Sequence, residues 1–578
     1  MQGDELDKKN QKNAVFESLK KICRNPLFIL ILITLGITFY LLSVQIRIGV
    51  PYWDVYNYLN NAIIFAGLGG ENVNTIIYLS PLIPFLTSLF FRLGYISINS
   101  IFILSAVIFF IGVIGLYLLL KERFTPIKSF AGSLIFISLP VVLSWATSGC
   151  TDIPGVSFSI CALYFMVVGI KKDSRFLYLI LPLLVISFIT RYTTGLIIIP
   201  MFLYLLINKN NIKRMENLKK IILGIIIEFG VLITILAYFF TKLKTASSIF
   251  SLFTSIASSS FTGVNDVAYN TNVLYYIQNL LNYISSGPFN GTYQQILNPS
   301  QGVPTLLSYS LTLIVLVGLI FYIHRIFISK IDFKDNKLLN MNNLVKMAII
   351  LVFIILLSIS FYYQSFLLSE IILLVFLYSL YLILTRGKAY KPKNLDLDFM
   401  FLSWFGVYLI FQSTLPLKVD RYFITMAPAL VYFIILGLSE FIAQIKPRIE
   451  YKNLKSGTIC LIVALLFLSC STATFIGHTP KKTFTVDIDD SCQWLKEYDP
   501  DYNNKIICSD YPNSVNWYLK KETIAAFPRL YKNDEEFEAY LQKIGADYYI
   551  DSTSKKHPDL KGYQIIKTFG VVVVYQKI

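Results

Sequence analysis

The sequence contains few charged residues for its length. Only 15% of its 578 residues are Asp, Glu, Lys or Arg, and 55% are hydrophobic, whereas a soluble protein carries about a quarter charged residues. The deficit is concentrated in repeated apolar runs that are long enough to cross a bilayer. The composition therefore excludes an ordinary soluble protein and predicts an α-helical polytopic membrane protein.

Histidine and metal-binding patterns are also scarce. The chain has three His residues and seven Cys, without a Cys-x-x-Cys pair or other metal-ligand spacing. None of the histidines falls in the loops considered below, so a His-rich zinc site is not expected. Cys492 and Cys508 lie in the polar C-terminal part, where a disulfide between them stays open.

Basic residues outnumber acidic residues, 51 against 35, which gives a net charge of +16. The cations occur in short clusters between apolar runs, where they orient membrane helices. We therefore expect no nucleic-acid partner. The Lys and Arg residues ahead of the first apolar run predict a cytoplasmic N-terminal segment over residues 1–25 and a multi-pass protein of the cell membrane.

The apolar runs predict about 13 spans. A further apolar stretch at 76–94 is interrupted by Pro81 and Pro84, and we expect it to lie in the outer interface. If it crossed the membrane, the cation-rich loops that follow would all face outside. The spans are placed near residues 27–46, 98–120, 130–146, 153–170, 176–191, 193–208, 221–241, 304–324, 346–362, 365–385, 399–415, 422–442 and 456–475.

This topology divides the chain into a transmembrane domain at 26–478 and a soluble domain at 479–578. The transmembrane domain includes a first extracytoplasmic loop at 48–97 and a long outer loop at 242–302, which is too long for a simple connector. The C-terminal domain mixes polar helix patterns (SCQWLKEY, DEEFEAYLQKI) with strand-like runs (KIICS, TIAAF, ADYYID, YQIIKTFG, VVVVYQ). These patterns predict a small extracytoplasmic α/β domain.

Several ionisable residues fall at the outer ends of the predicted spans, where such groups tend to be paired or functional. Each also has a structural interpretation: an Asp can cap a helix, an Arg can extend its head group to the interface, and basic residues can anchor lipid head groups. The set comprises Asp54, Asp152, Arg191, Tyr192, Lys418, Asp420, Arg421 and Tyr422.

These residue types suit the transfer of a sugar from a lipid-phosphate donor. A carboxylate is needed to take the proton of the acceptor, and cations are needed to hold the phosphate as it leaves. Asp54 is the candidate base, and Arg191, Lys418, Arg421 and Tyr422 are the candidate phosphate-binding residues. A divalent metal is conceivable at Asp152, since hard cations prefer oxygen ligands.

In several segments the chain resembles the GT-C membrane glycosyltransferases. The resemblance is to the branch of the dolichyl-phosphate-mannose protein mannosyltransferases and the lipid A aminoarabinose transferase. The similar segments, spread over roughly residues 27–440, are YWDVYNYL, YLSPLIPFLTSLFFRLG, LLLKERF, SGCTDIPG, TRYTTGLIIIPMFLYLL and DRYFITMAPALVYFIILGL.

The resemblance implies a GT-C fold, a polyprenyl-phosphate-linked sugar donor (dolichyl or undecaprenyl), a lipid, glycan or protein acceptor, and inversion at the sugar carbon on the extracytoplasmic face. It places Asp54 at the first-loop catalytic acid, Asp152 at the acid of the second outer loop, and Arg421-Tyr422 at an RY element near the donor phosphate. Val55 and Tyr56 depart from the family, which has a further acidic or charged pair there, so the acceptor stays open.

Two other functions are compatible with a polytopic chain. A transporter or flippase for a lipid-linked substrate would place charges near the middle of spans, whereas here they gather at one edge, apart from Glu228 and Glu370. A non-catalytic membrane scaffold would use the C-terminal domain for binding. We expect a glycosyltransferase.

Overall fold

The structure is a computed structural model that describes residues 25–68, 79–213, 218–242, 272–287, 293–328, 341–363, 365–385, 394–445, 456–552 and 556–578. The cytoplasmic segment expected at 1–25 and much of the outer loop expected at 242–302 lie outside these residues. The chain forms two compact units. The first comprises Met1–Thr38, Ile108–Trp145 and Asp152–His478, and the second comprises Phe39–Val107, Ala146–Thr151 and Thr479–Ile578.

The first unit is helical, apart from one short antiparallel pair of strands. Its helices are α1 (Pro26–Ile48) and α4 (Asn99–Lys121), which both continue into the second unit, then α5 (Pro126–Ser138), α6 (Pro140–Trp145), α7 (Asp152–Lys171), α8 (Ile180–Thr190), α9 (Ile198–Ile207), α10 (Lys209–Lys213), α11 (Leu218–Lys242), α12 (Tyr275–Gln278), α13 (Leu280–Ile284), α14 (Tyr293–Leu297), α15 (Leu306–Ile328), α16 (Met341–Tyr362), α17 (Phe366–Thr385), α18 (Leu395–Thr414), α19 (Ala427–Ile445) and α20 (Ser456–His478). The strands are β1 (Ser286–Gly287) and β2 (Val303–Pro304).

Eight helices within the described ranges are long and apolar enough to cross a membrane, so the expected count of about 13 is not confirmed. Some expected spans are interrupted. The run at 130–146 forms α5 and α6, because Leu139 is extended (ψ 127°) and Pro140 has no N–H with which to continue a helix. The span expected at 422–442 begins only at Ala427, after a 3-10 turn at Asp420–Thr425.

The long helices pack against each other unevenly. The most apolar stretches of α1, α15, α17 and α20 are each only 28% buried, which leaves broad apolar faces for lipid. By contrast, α15 and α19 approach so closely that a Cβ at Gly318 would lie 1.9 Å from the carbonyl oxygen of Gly437. Small residues allow such backbone contact between membrane helices.

The second unit consists of three stretches of the chain: Phe39–Val107, which includes α2, Ala146–Thr151, and the C-terminal Thr479–Ile578. Its complete helices are α2 (Asp54–Ala66), α3 (Leu82–Arg92), α21 (Phe484–Tyr498), α22 (Pro512–Leu519) and α23 (Asp534–Lys543). Helix α3 has 11 residues and is about 16 Å long, too short for a hydrocarbon core of about 30 Å. Its length agrees with an interfacial position for the stretch at 76–94.

The C-terminal sheet has five strands in the order β4-β3-β5-β7-β6. Strand β3 pairs in parallel with β4 and β5, and β7 pairs antiparallel with β5 and β6. The strands are β3 (Ile507–Ser509), β4 (Ile524–Ala525), β5 (Tyr548–Asp551), β6 (Tyr563–Phe569) and β7 (Val572–Lys577). The small α/β domain expected from the sequence is thus confirmed. Cys492 and Cys508 are both buried free thiols.

Candidate active site

Asp54 is the first residue of α2, in the second unit. The residue before it, Trp53, occupies the N-cap position without a side-chain hydrogen bond, so Asp54 does not cap the helix. A carboxylate in the first helical turn is stabilised by the partial positive charge of the helix N-terminus. The Asp54 side chain is half-buried, and it therefore keeps access to solvent or to a ligand.

Tyrosines from distant parts of the sequence surround the start of α2. The ring of Tyr56 contacts the ring of Tyr511 edge-on, with centroids 6.2 Å apart. Burial raises the pKa of Tyr511, and the nearby Tyr56, Tyr52 and Asp54 raise it further. The charge of Asp54 thus acts on a tyrosine hydroxyl that stays neutral.

Asp152 is the first residue of α7, in the first unit, and its side chain is only 1% exposed. Arg191 Nη1 lies 2.6 Å from Asp152 Oδ1, and Arg421 Nη1 lies 3.9 Å from Oδ2. Neither carboxylate oxygen accepts a hydrogen bond of good geometry from a described residue, including the N–H groups of α7. Asp152 therefore serves as a counter-ion to two arginines and does not cap its helix.

Aromatic rings fix the two guanidinium groups. The guanidinium carbon of Arg191 lies 4.9 Å from the ring centroid of Tyr422, and that of Arg421 lies 5.8 Å from the same centroid. Arg421 also lies over Trp145, at 5.3 Å. A cation is attracted to the face of an aromatic ring. We call Asp152, Arg191, Arg421, Tyr422 and Trp145 the arginine site.

The position of Arg191 depends on close packing against α7. Arg191 is an extended residue (φ −154°) between α8 and the following 3-10 turn. A Cβ on Gly155 would lie 2.9 Å from Thr194 Cγ2 and 3.0 Å from Arg191 Cβ, so a glycine is required there. Ser187 Oγ donates to the carbonyl oxygen of Gly155, at 3.0 Å, which joins α8 to α7.

Lys418 has a different environment from the two arginines. Its buried Nζ donates to the carbonyl oxygens of Gln412 (3.2 Å), Ser413 (2.6 Å) and Leu415 at the end of α18. Burial lowers the pKa of Lys418 to about 8. An ammonium has three donors, so Lys418 would have to release a carbonyl before it could bind phosphate.

Asp420 is one of the residues that the sequence places at the outer membrane edge, although no separate role is predicted for it there. Its buried carboxylate accepts hydrogen bonds from Tyr275 (2.6 Å), Tyr283 (2.9 Å) and the backbone N–H of Ser300 (2.7 Å). Burial and the adjacent Asp420 raise the pKa of both tyrosines. Asp420 thus attaches the described part of the outer loop to the turn that carries Arg421.

The described residues do not fit a metal at Asp152. No group of three or more His, Cys, Asp or Glu side chains within the described ranges is arranged to hold an ion. In addition, the positive charge of Arg191 at 2.6 Å opposes a second cation on the same carboxylate. The structure therefore brings together four of the predicted residues, Asp152, Arg191, Arg421 and Tyr422, in a cluster with two guanidiniums and one carboxylate.

Comparison with known proteins supports one class of protein. Residues 79–239 match the family model of dolichyl-phosphate-mannose-protein mannosyltransferase. No curated protein matches the chain in sequence. A crystal structure of ArnT from Cupriavidus metallidurans bound to undecaprenyl phosphate is similar over 96% of this chain and 98% of that one, with a TM-score of 0.53 and 11% identity.

Two other solved structures are similar. ArnT from the same organism in the apo state covers 95% of this chain and 97% of its own, with a TM-score of 0.54 and 10% identity. The archaeal oligosaccharyltransferase AglB from Archaeoglobus fulgidus, in complex with an inhibitory peptide and a dolichol-phosphate, covers 90% of this chain and 69% of its own. Its TM-score is 0.46, at 12% identity.

The match of residues 79–239 to the mannosyltransferase family model and the likeness of the fold to ArnT both support the GT-C membrane glycosyltransferase class. The resemblance found in the sequence is confirmed at this level. The chain is a multi-pass membrane protein whose fold is similar to that of ArnT.

Proposed function

We propose that the protein transfers a sugar from a polyprenyl-phosphate donor to a lipid, glycan or protein acceptor on the extracytoplasmic face of the cell membrane. In this proposal Asp54 is the general base, the arginine site binds the phosphate of the donor, and the sugar carbon is inverted. The N-terminus is cytoplasmic and the C-terminal domain extracytoplasmic. The observation that carries the proposal is the convergence of Arg191 and Arg421 on Asp152.

The arginine site has the charge and the donors that a phosphate requires. Two guanidiniums and one carboxylate leave a net positive charge in a region where Arg191 and Arg421 side chains are only 12% and 7% exposed. Two guanidiniums also carry more N–H donors than one carboxylate can accept. Planar guanidiniums bind phosphate through paired hydrogen bonds, and burial strengthens the attraction.

An apolar cavity of the first unit suits the polyprenyl chain of such a donor. The cavity has a volume of about 450 Å³ and is lined by α13, α15, α17, α18 and α19, with Leu311, Leu319 and Leu402 among its side chains. Ile284 also lines it, and the adjacent Tyr283 donates to Asp420, next to Arg421. One residue of the lining, Ile284, thus neighbours a tyrosine that binds the residue before Arg421. ArnT of similar fold is bound to undecaprenyl phosphate.

The location of the buried charges favours a transferase over a transporter. A transporter holds its substrate near the membrane midplane. Among the described residues of the first unit, the buried carboxylates and cations lie within about two turns of a helix end or in the turns between helices. They are Asp152, Glu370, Asp396, Asp398, Lys418, Asp420 and Arg421.

The test is sugar transfer by purified protein from radiolabelled polyprenyl-phosphate sugars to membrane acceptors. Asp54→Asn keeps the size of the side chain but removes the base, so turnover should fall by about 100-fold or more. Asp501→Asn, at an exposed carboxylate of the second unit, is the matched control and should keep wild-type turnover. Equal turnover by Asp54→Asn and wild type would remove Asp54 as the base.

The phosphate-binding role of Arg421 is tested with a second variant. Arg421→Ala should weaken donor binding by about 30-fold or more, since truncating a buried charged partner costs about 2–5 kcal/mol. Arg325→Ala is the control, because Arg325 is a helix-end arginine that pairs with Glu440 and is 54% exposed. If Arg421→Ala reduces only expression and leaves the Kd for the donor unchanged, Arg421 is an anchor and the assignment is wrong.

A further inference from the structure

The C-terminal part of the protein holds the backbone just before Asp54. Thr483 donates to the carbonyl oxygen of Ile48 through both its backbone N–H (3.1 Å) and its hydroxyl (2.7 Å). Thr485 donates its hydroxyl to the carbonyl oxygen of Val50, at 3.0 Å. These carbonyls belong to the turn between α1 and α2, so two threonines satisfy backbone acceptors that no regular element pairs.

The same C-terminal segment holds α2 just after Asp54. The hydroxyls of Tyr56 and Tyr518 are 3.0 Å apart, and Asn60 Nδ2 donates to the carbonyl oxygen of Asn513 at 3.2 Å. Tyr56 and Asn60 are four residues apart and therefore lie on one face of α2. Both are buried, at 0% and 5% exposure. Helix α22 thus binds the first turns of the helix that Asp54 begins.

Helix α22 also packs against α3 and α21. Trp517 stacks at a tilt against Phe91 of α3, with centroids 5.8 Å apart. Lys496 of α21 donates to the carbonyl oxygen of Tyr518 at 2.8 Å. The attachment points for α2 are therefore part of a packed layer, which limits how far α2 can shift.

We propose that Thr485 and Tyr518 are positioning residues for Asp54, and this inference rests on the proposed function of Asp54. Val50 and Tyr56, the two groups that they bind, flank Asp54 in the sequence. Neither residue touches the reacting atoms in this proposal; they determine where the carboxylate lies. A displacement of about 1 Å from the productive geometry can cost about 100-fold in rate.

The test removes one hydroxyl at a time from the full-length protein. Thr485→Val and Tyr518→Phe keep the shape of the side chain and break the bond to Val50 and to Tyr56, respectively. We expect kcat to fall by about 10- to 100-fold in each variant, with the KM for the donor unchanged. Tyr563→Phe is the matched control, since Tyr563 donates to Ala546 in the same unit. It should keep wild-type kcat.

A second readout separates this inference from the proposed function. In an Asp54→Cys background, the rate at which a small thiol reagent labels the cysteine should change several-fold with Thr485→Val or Tyr518→Phe, and stay unchanged with Tyr563→Phe. A labelling rate that neither Thr485→Val nor Tyr518→Phe changes, or an unchanged kcat, would overturn the positioning role. Full activity of Asp54→Asn would instead remove the base, while the labelling rates would still decide the positioning. Thr485→Val tests the contact before Asp54, and Tyr518→Phe tests the contact after it. If one variant fails to fold, the other still tests the positioning role.

Discussion

Asp152→Asn is the substitution whose effects follow most directly from the arginine site. It removes one negative charge and keeps the size of the side chain. The contacts at 2.6 Å to Arg191 and 3.9 Å to Arg421 correspond to attractions of about 6 and about 4 kcal/mol at an effective dielectric constant of about 20. Desolvation offsets much of this, and breaking a buried ion pair typically costs about 3–5 kcal/mol.

The expected result has two parts with opposite directions. Without ligand, Asp152→Asn should lower the melting temperature, because two buried guanidiniums lose their counter-ion. With polyprenyl phosphate, the variant should bind more tightly than wild type, by about tenfold or more, since the ligand no longer competes with a carboxylate. Both quantities can be measured in detergent by thermal unfolding with and without ligand and by titration.

A carboxylate in an exposed ion pair provides the control for Asp152→Asn. Asp173→Asn breaks the ion pair of Asp173 with Arg175, whose side chain is 87% exposed, and should change the melting temperature little, because exposed pairs contribute about 0–1 kcal/mol. If Asp152→Asn binds the lipid phosphate more weakly and no longer responds to divalent cations, Asp152 is a metal ligand and the counter-ion reasoning is refuted.

Three further predictions concern residues around the arginine site. Asp420→Ala should weaken donor binding and expose the outer loop to protease, because three hydrogen bonds to a buried carboxylate, each of about 1.5–3 kcal/mol, are lost; limited proteolysis with a wild-type pattern would contradict this. Gly155→Ala should raise the KM for the donor and lower stability by about 1–3 kcal/mol by pushing on Arg191, as measured by steady-state kinetics and thermal unfolding, and unchanged values would refute it. Burial lowers the pKa of Lys418 to about 8, so the folded state binds fewer protons than the unfolded state above that pH, and stability should rise from about pH 8 to 10. Lys418→Met should abolish the rise, and a rise that persists in the variant has another cause.

The parts of the fold that were predictable are those encoded locally. The five strand-like runs of the C-terminal domain match β3 to β7, because alternating β-branched and aromatic residues report strand structure over a few positions. Hydropathy was less informative about helix ends. The run at 130–146 stays apolar through Leu139 and Pro140, although the helix breaks there. Helix counts from apolar composition therefore exceed the number of long, uninterrupted helices.

Most residues of the arginine site could be named from the sequence, but the ion pairs between them could not. Asp152, Arg191 and Arg421 each lie at a helix junction on the same predicted side of the membrane. That Asp152 is the counter-ion of both arginines depends on how α7, α8 and the turn before α19 pack. Thr485 and Tyr518 bind residues 435 and 462 positions away, and no local pattern reports such a contact.

The pairing with Asp152 explains how two guanidiniums can be buried side by side. Two buried guanidiniums alone would repel each other and carry a large desolvation cost. Asp152 compensates one of these charges, and the rings of Tyr422 and Trp145 contact the guanidiniums. The carboxylate thus stabilises the two guanidiniums, and in the proposed function it competes with the donor phosphate for their positive charge. We therefore expect the arginine site to give up part of its affinity for the proposed donor and to release the lipid phosphate once the sugar has left.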